Sequence, residues 1–326
     1  MPMPSRARRS AGWGRLRRGL LAALVAGAVV VPVSAAAAHP EIPAPAPARV
    51  GTVTATTLDR AYAANRANAA EASLMAADHG DHDRASAVRA MADPSRHYLS
   101  FDARGSGRAV EILGDLAEAD RVAVLVPGSD TSLDTYERFR EGALALHQRL
   151  GTRAAVVAWL GYETPGTISP EVLTMGRAEE AAPELRSFIA ELRALNAHAR
   201  ISLLCHSYGT AVGARAANGL DIADLVFFGS PGTGVESAAD LRTKARVWAG
   251  RGADDWIANV PHAETDLFGL FGTSVGFGTD PVSPAFGAQV FAAGDGGHSD
   301  YFSPGSESLD NLARIVLGRT SEVTRA

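Results

Sequence analysis

This chain of 326 residues has a single cysteine, Cys205. That excludes an internal disulfide and any zinc site built on several thiolates. Lysine is equally scarce, with Lys244 the only one, so the other basic residues are arginine. Six of those arginines (6, 8, 9, 15, 17 and 18) crowd into the first 38 residues, which hold no acid. The rest of the chain carries 25 basic against 36 acidic residues, a net charge of about −11. An acidic chain of this kind is a poor partner for nucleic acid, whose phosphates need clustered cations. No internal repeat is visible.

What is present begins with an export pattern. The basic segment is followed by an apolar run from Gly19 to Val33 and by Ala36-Ala37-Ala38, a small-residue cleavage site. Arg17-Arg18-Gly19-Leu20-Leu21 fits a twin-arginine signal. An uncleaved membrane anchor is the competing reading. The shortness of the run, Pro32 and the many alanines favour cleavage before His39. The expected location is therefore outside the cell or in its envelope, with no stable membrane span left. Residues 1–38 are read as signal peptide, 39–50 as a Pro/Ala-rich linker, 51–95 as a helical extension and 96–326 as the main folded domain.

Within 51–95, two helical segments flank Asp78-His79-Gly80-Asp81-His82-Asp83. That cluster reads as a polar connection before it reads as a metal site, and neither metal nor cofactor is expected. From Tyr98 the rhythm changes. Strand-like runs fall at 98–102, 109–113, 122–126, 154–160, 201–205, 225–228, 246–249 and 289–292. The later ones are continuously apolar, as buried parallel strands are. Helical faces separate them: Tyr136, Phe139, Leu146 and Leu150; Leu185, Phe188, Ile189, Leu192 and Leu195; Leu309, Leu312 and Val316 before Gly318. The fold class is α/β, a mostly parallel eight-stranded sheet with helices on both faces.

The run 201–205 ends in Cys205-His206-Ser207-Tyr208-Gly209 and passes directly into a small-residue helical pattern. A serine on such a strand–turn–helix junction sits in a nucleophile elbow, its hydroxyl exposed on a tight turn. Small residues two before and two after it keep strand and helix apart; here they are Cys205 and Gly209. In the α/β-hydrolase order the acid follows the seventh strand and the histidine the eighth. His298, in Gly294-Asp295-Gly296-Gly297-His298-Ser299-Asp300-Tyr301, occupies the histidine slot, and His262 reads as an ordinary surface residue. Asp255 is the favoured acid, with Asp254 and Asp280 as alternatives. The two oxyanion donors are expected from the N–H groups of Ser129 and Tyr208. Asp130 or Ser132 would cap the helix that follows.

Together Val124-Leu125-Val126-Pro127-Gly128, Trp159-Leu160-Gly161-Tyr162, His206-Ser207-Tyr208-Gly209, Gly229-Ser230-Pro231-Gly232, Gly278-Thr279-Asp280-Pro281 and Gly297-His298-Ser299-Asp300-Tyr301-Phe302 resemble an α/β-hydrolase family. Its members are largely uncharacterised exported proteins of high-GC bacteria. The resemblance spans roughly residues 96–318. It implies the fold and a Ser-His-Asp triad, and no particular substrate. The expected function is a secreted serine hydrolase acting on a small or lipid-like carboxylic ester. An envelope acyltransferase with the same triad and a non-catalytic binding protein are the alternatives. The apolar, glycine-studded stretch from Asp266 to Phe277 could line an acyl pocket or be plain core. The loop 162–175 should lie near the site mouth. The connection after the sixth strand is too short for a large helical lid.

Overall fold

The structure is a computed structural model that describes residues 42–169, 172, 174–260 and 277–326. The segment read as a signal peptide, Pro170, His262 and the stretch from Asp266 to Gly276 lie outside those residues. Ile42–Ala326 forms one compact unit. Among the described residues no helix is long and apolar enough to cross a membrane.

Eight strands form one sheet in the order β1-β2-β4-β3-β5-β6-β7-β8. They are β1 (His97–Asp102), β2 (Arg108–Leu113), β3 (Arg121–Val126), β4 (Ala154–Leu160), β5 (Arg200–His206), β6 (Asp224–Phe228), β7 (Arg246–Gly250) and β8 (Gln289–Val290). Only β2 runs against its neighbours; from β4 to β8 all pairs are parallel. The central strands bury both faces, which is why their sequences are unbroken apolar runs. The helices are α1 (Leu58–His79), α2 (His82–Met91), α3 (Tyr136–Leu150), α4 (Gly176–Leu195), α5 (Gly209–Ala216) and α6 (Glu307–Val316). Leu185, Ile189 and Leu192 of α4 join Val122, Val124 and Leu203 in one apolar layer. Leu146 of α3 and Leu312 of α6 join Leu125 and Leu204 in the opposite layer.

Two local expectations change. The last strand, expected over 289–292, is a two-residue ladder. Phe291 N–H still donates to Ala249 O at 2.9 Å, but Ala292 N–H turns to Thr324 O, so the C-terminal segment covers this edge. The helix after β3 starts later than a cap at Asp130 or Ser132 requires. Its first residue is Tyr136, after Thr135. The acidic His/Asp cluster in the N-terminal region is mostly helix, joined through Gly80 and Asp81, and Asp81 accepts from Arg84 N–H at 2.9 Å.

The N-terminal helices are tied to the sheet through polar groups. Asn65 Nδ2 donates to Tyr98 O and Leu99 O at 2.9 and 3.0 Å. Beside it, Arg96 meets Glu111 of β2 bidentately at 2.8 and 2.9 Å, and Arg140 of α3 adds a second guanidinium at 2.9 Å. Glu111 is 1% exposed and Arg96 4%. Removing one partner of such a pair strands the other charge in the interior. Glu111→Ala is expected to lower unfolding free energy by about 3–5 kcal/mol, read by urea denaturation. A loss below about 1 kcal/mol would mean that water reaches Arg96.

Candidate active site

The position of the site follows from the strand order. The chain leaves β3 for β4 on one side and returns to β5 on the other, so the connections after β3 and β5 diverge at adjacent carboxyl ends. A crevice at that switch point is where open parallel sheets bind ligands. Ser207 lies on one of these connections and Ser129 on the other.

Ser207 follows β5 with φ +53°, a left-handed conformation that a residue with a Cβ seldom adopts. Its N–H donates to Phe228 O at 3.1 Å, and its carbonyl accepts from Thr210 N–H and Oγ1–H at 2.9 and 2.7 Å. The turn is therefore held from both sides. It also needs space. A Cβ on Gly209 would lie 2.5 Å from Pro127 O, so the helix can start here only without a side chain. Cys205, in the place where glycine is usual, is accommodated by Gly213 one turn into α5, where a Cβ would lie 2.4 Å from Cys205 Sγ. The thiol is fully buried, and burial pushes its pKa up, so it stays neutral. Gly213→Ala is expected to cost about 1–3 kcal/mol by overpacking. Cys205→Ala placed on top should recover most of that loss in a double-mutant cycle. Strictly additive losses would show that the two residues do not share the space.

Three of the predicted residues come together. His298 Nε2 lies 2.9 Å from Ser207 Oγ. His298 Nδ1 lies 2.9 and 3.1 Å from the two Asp255 oxygens. The carboxylate can only accept, so the proton is on Nδ1, and the Nε2 lone pair faces the serine hydroxyl. Asp255 is 2% exposed. Burial alone would raise its pKa. Hydrogen bonds from His298, Tyr301 and Ile257 N–H outweigh that and hold the carboxyl below the usual range. The alternative acids lie elsewhere: Asp254 is exposed, and Asp280 pairs with Arg251 at 2.6 Å.

Ser129 and Tyr208 both line the cavity over Ser207, and their N–H groups have no acceptor among the described residues. The loop bearing Ser129 is fixed by the one after β4. Tyr162 OH donates to Pro127 O at 2.8 Å, Asp130 N–H to Pro165 O at 3.0 Å, and Thr167 N–H to Asp130 Oδ1 at 2.9 Å. This also places the loop 162–167 at the site mouth. Phe277, at the end of the glycine-studded stretch, is buried and lines the same cavity.

Sequence reasoning assigned no role to three neighbours. Tyr301 OH donates to Asp255 Oδ2 at 2.6 Å and accepts from Gly252 N–H at 3.1 Å, so it orients the carboxylate. Its place three residues after His298, within Gly297-His298-Ser299-Asp300-Tyr301-Phe302, is the sequence signal for this contact. His206 Nε2 lies 2.9 Å from the His298 carbonyl, which can only accept. Burial, reinforced by the neighbouring His298, pulls the His206 pKa down to about 3, so it stays a neutral donor. Trp256, 51% exposed, leans over His298 with ring centroids 4.7 Å apart.

A family model described as alpha/beta hydrolase matches residues 102–265. The chain belongs to the α/β-hydrolase family. An uncharacterized protein of Mycobacterium tuberculosis is 31% identical over 69% of this chain and 40% of its own length. The chain thus spans well under half of that relative. An uncharacterized protein of Mycobacterium bovis is 29% identical over 60% of this chain and 81% of its own. Among solved structures, an α/β serine hydrolase without lid from Xanthomonas campestris aligns at 19% identity and TM-score 0.44, covering 70% of this chain and 95% of that one. A Pyrococcus furiosus esterase aligns at 12% identity and TM-score 0.44, covering 69% and 91%.

Proposed function

We propose that this α/β hydrolase is an exported serine esterase that cleaves carboxylic esters through an acyl-enzyme on Ser207. The observation that carries the reading is the continuous relay from Asp255 through His298 to the Ser207 hydroxyl. Ser207 Oγ attacks the ester carbonyl as His298 Nε2 takes its proton. Ionised Asp255 holds the imidazole and stabilises the imidazolium. The N–H groups of Ser129 and Tyr208 receive the oxyanion. Collapse of the tetrahedral intermediate breaks the bond to the alcohol, which leaves with the proton from Nε2. Water then repeats the sequence and frees the acid and Ser207.

The reading is tested with a fluorophosphonate probe and p-nitrophenyl esters. Stoichiometric labelling, and a burst of p-nitrophenol equal to the enzyme concentration when deacylation is the slower step, are the expected results. Absence of both labelling and turnover overturns it. Export is tested by N-terminal sequencing of protein from the envelope or culture fluid, with a start near His39 expected.

A further inference from the structure

The cavity at Ser207, about 760 Å³ in volume, does not end at the serine. It continues along the face of the sheet that carries Leu125 and Leu204, between α3 and the segment 299–304. Leu125, Leu204 and Phe228 form its floor, and all three are otherwise fully buried. One wall is α3 at Gly142 and Ala145; the other is Phe302.

A helix packed on a sheet ordinarily fills the space below it with large side chains. Here α3 turns a glycine and an alanine, three positions apart, towards the gap, one turn beyond Phe139 at the same cavity. Glycine within a helix is unfavourable and calls for a reason. The reason lies on the opposite wall, because a Cβ at position 142 would stand 2.9 Å from Phe302 Cδ2. The Phe302 ring is held edge-on to Phe228, with centroids 5.5 Å apart at 90°. The two walls therefore touch at Gly142, and Ala145 leaves the space beyond it unfilled. Among the described residues the charged side chains that line the cavity are Asp130, Arg138 and Glu141, and all three are exposed.

The floor of the groove is buried, whereas the cavity is exposed on the other side of His298. Trp256 leans over the imidazole half in solvent. In an acyl-enzyme cycle the alcohol departs before water enters, while the acyl part stays attached through both steps. The exposed side suits the part that leaves, and the groove suits the part that stays.

We propose that the groove between α3 and Phe302 is the acyl site and takes an unbranched, apolar acyl chain of medium length, with Ala145 limiting its depth. This rests on the esterase reading above. It makes esters of straight-chain fatty acids the substrate class.

The test uses p-nitrophenyl esters from acetyl to dodecanoyl with the wild-type protein and Ala145→Leu. In the wild type, kcat/KM should rise about fourfold per methylene until the groove is full. In Ala145→Leu the decanoyl-to-acetyl ratio should fall at least tenfold. Should that variant fail to fold, Phe302→Ala carries the test, with the optimum moving to bulkier, branched acyl groups. Decanoate binding to Ser207→Ala, followed by calorimetry, separates the groove from the chemistry. Adding Ala145→Leu there should weaken binding at least tenfold, whether or not esters are turned over. A chain-length profile unmoved by both substitutions, or decanoate affinity unchanged by Ala145→Leu, overturns the proposal.

Discussion

Ser207→Ala is expected to abolish the fluorophosphonate adduct and lower kcat by about 10⁶-fold, as removal of a triad serine does elsewhere. The probe forms its bond with a serine oxygen activated by a neighbouring base, and Ser207 Oγ is the hydroxyl 2.9 Å from His298 Nε2. Alanine keeps the Cβ that the elbow already accommodates, so the fold should survive and the loss report chemistry. The remaining rate would come from binding and the two oxyanion donors. Mass spectrometry of the labelled protein and initial rates on a p-nitrophenyl ester check the two halves separately. An adduct retained in the variant would mean that another residue is the nucleophile.

Asp255→Ala carries the second large effect, a fall in kcat of about 10⁴-fold. His298 would keep its place over Ser207 through the loop, but the group that fixes its tautomer would be gone. Tyr301 OH and Ile257 N–H would also lose their acceptor. Asp254→Ala is the matched control and should stay within about twofold of wild type, since Asp254 is exposed and outside the relay. If the two variants exchange effects, the acid has been misassigned while the serine chemistry stands. The substitution should also show in stability. The folded pKa of Asp255 is lowered, so its ionised form stabilises the fold above the unfolded value of about 4. That contribution is lost as pH falls through the lowered folded value. The stability gap between wild type and Asp255→Ala should therefore narrow between pH 7 and pH 3. A gap independent of pH would mean that the carboxylate is not held ionised by its neighbours.

The parts of this molecule that depend on local residue order were legible in the sequence. The alternation of apolar runs and helical faces predicted eight strands and the mostly parallel sheet. Strand–Cys-His-Ser-Tyr-Gly–helix marked the elbow, because the turn imposes its residue types within five positions. Chain order then singled out His298 and left three aspartates, of which Asp255 was favoured by the Trp256-Ile257 that follows it; His298 lies within hydrogen-bonding reach of both Asp255 and Ser207. What was not legible depends on segments far apart in the chain. The fit of Cys205 against Gly213 is visible only once strand and helix are docked. The support of Asp255 by Tyr301, and of the His298 carbonyl by His206, crosses 46 and 92 positions. The open groove beneath α3 needs the helix placed over the sheet before Gly142 and Ala145 acquire a meaning. The last strand shortened because its neighbour beyond Val290 is the C-terminal segment, a pairing that periodicity does not reveal.

The left-handed turn at residue 207 has a consequence for how this protein can change. A side chain there forces the backbone into a region that glycine occupies freely. Serine is thus a thermodynamically poor occupant of its own position, at a penalty on the order of 1 kcal/mol. Ser207→Gly should melt above Ser207→Ala while being equally inactive. Random drift without selection for turnover would then tend to erase this residue early, since losing it makes the protein sturdier. Related chains that have kept a serine at the corresponding turn can be read as still under selection for catalysis, and those with glycine there as released from it.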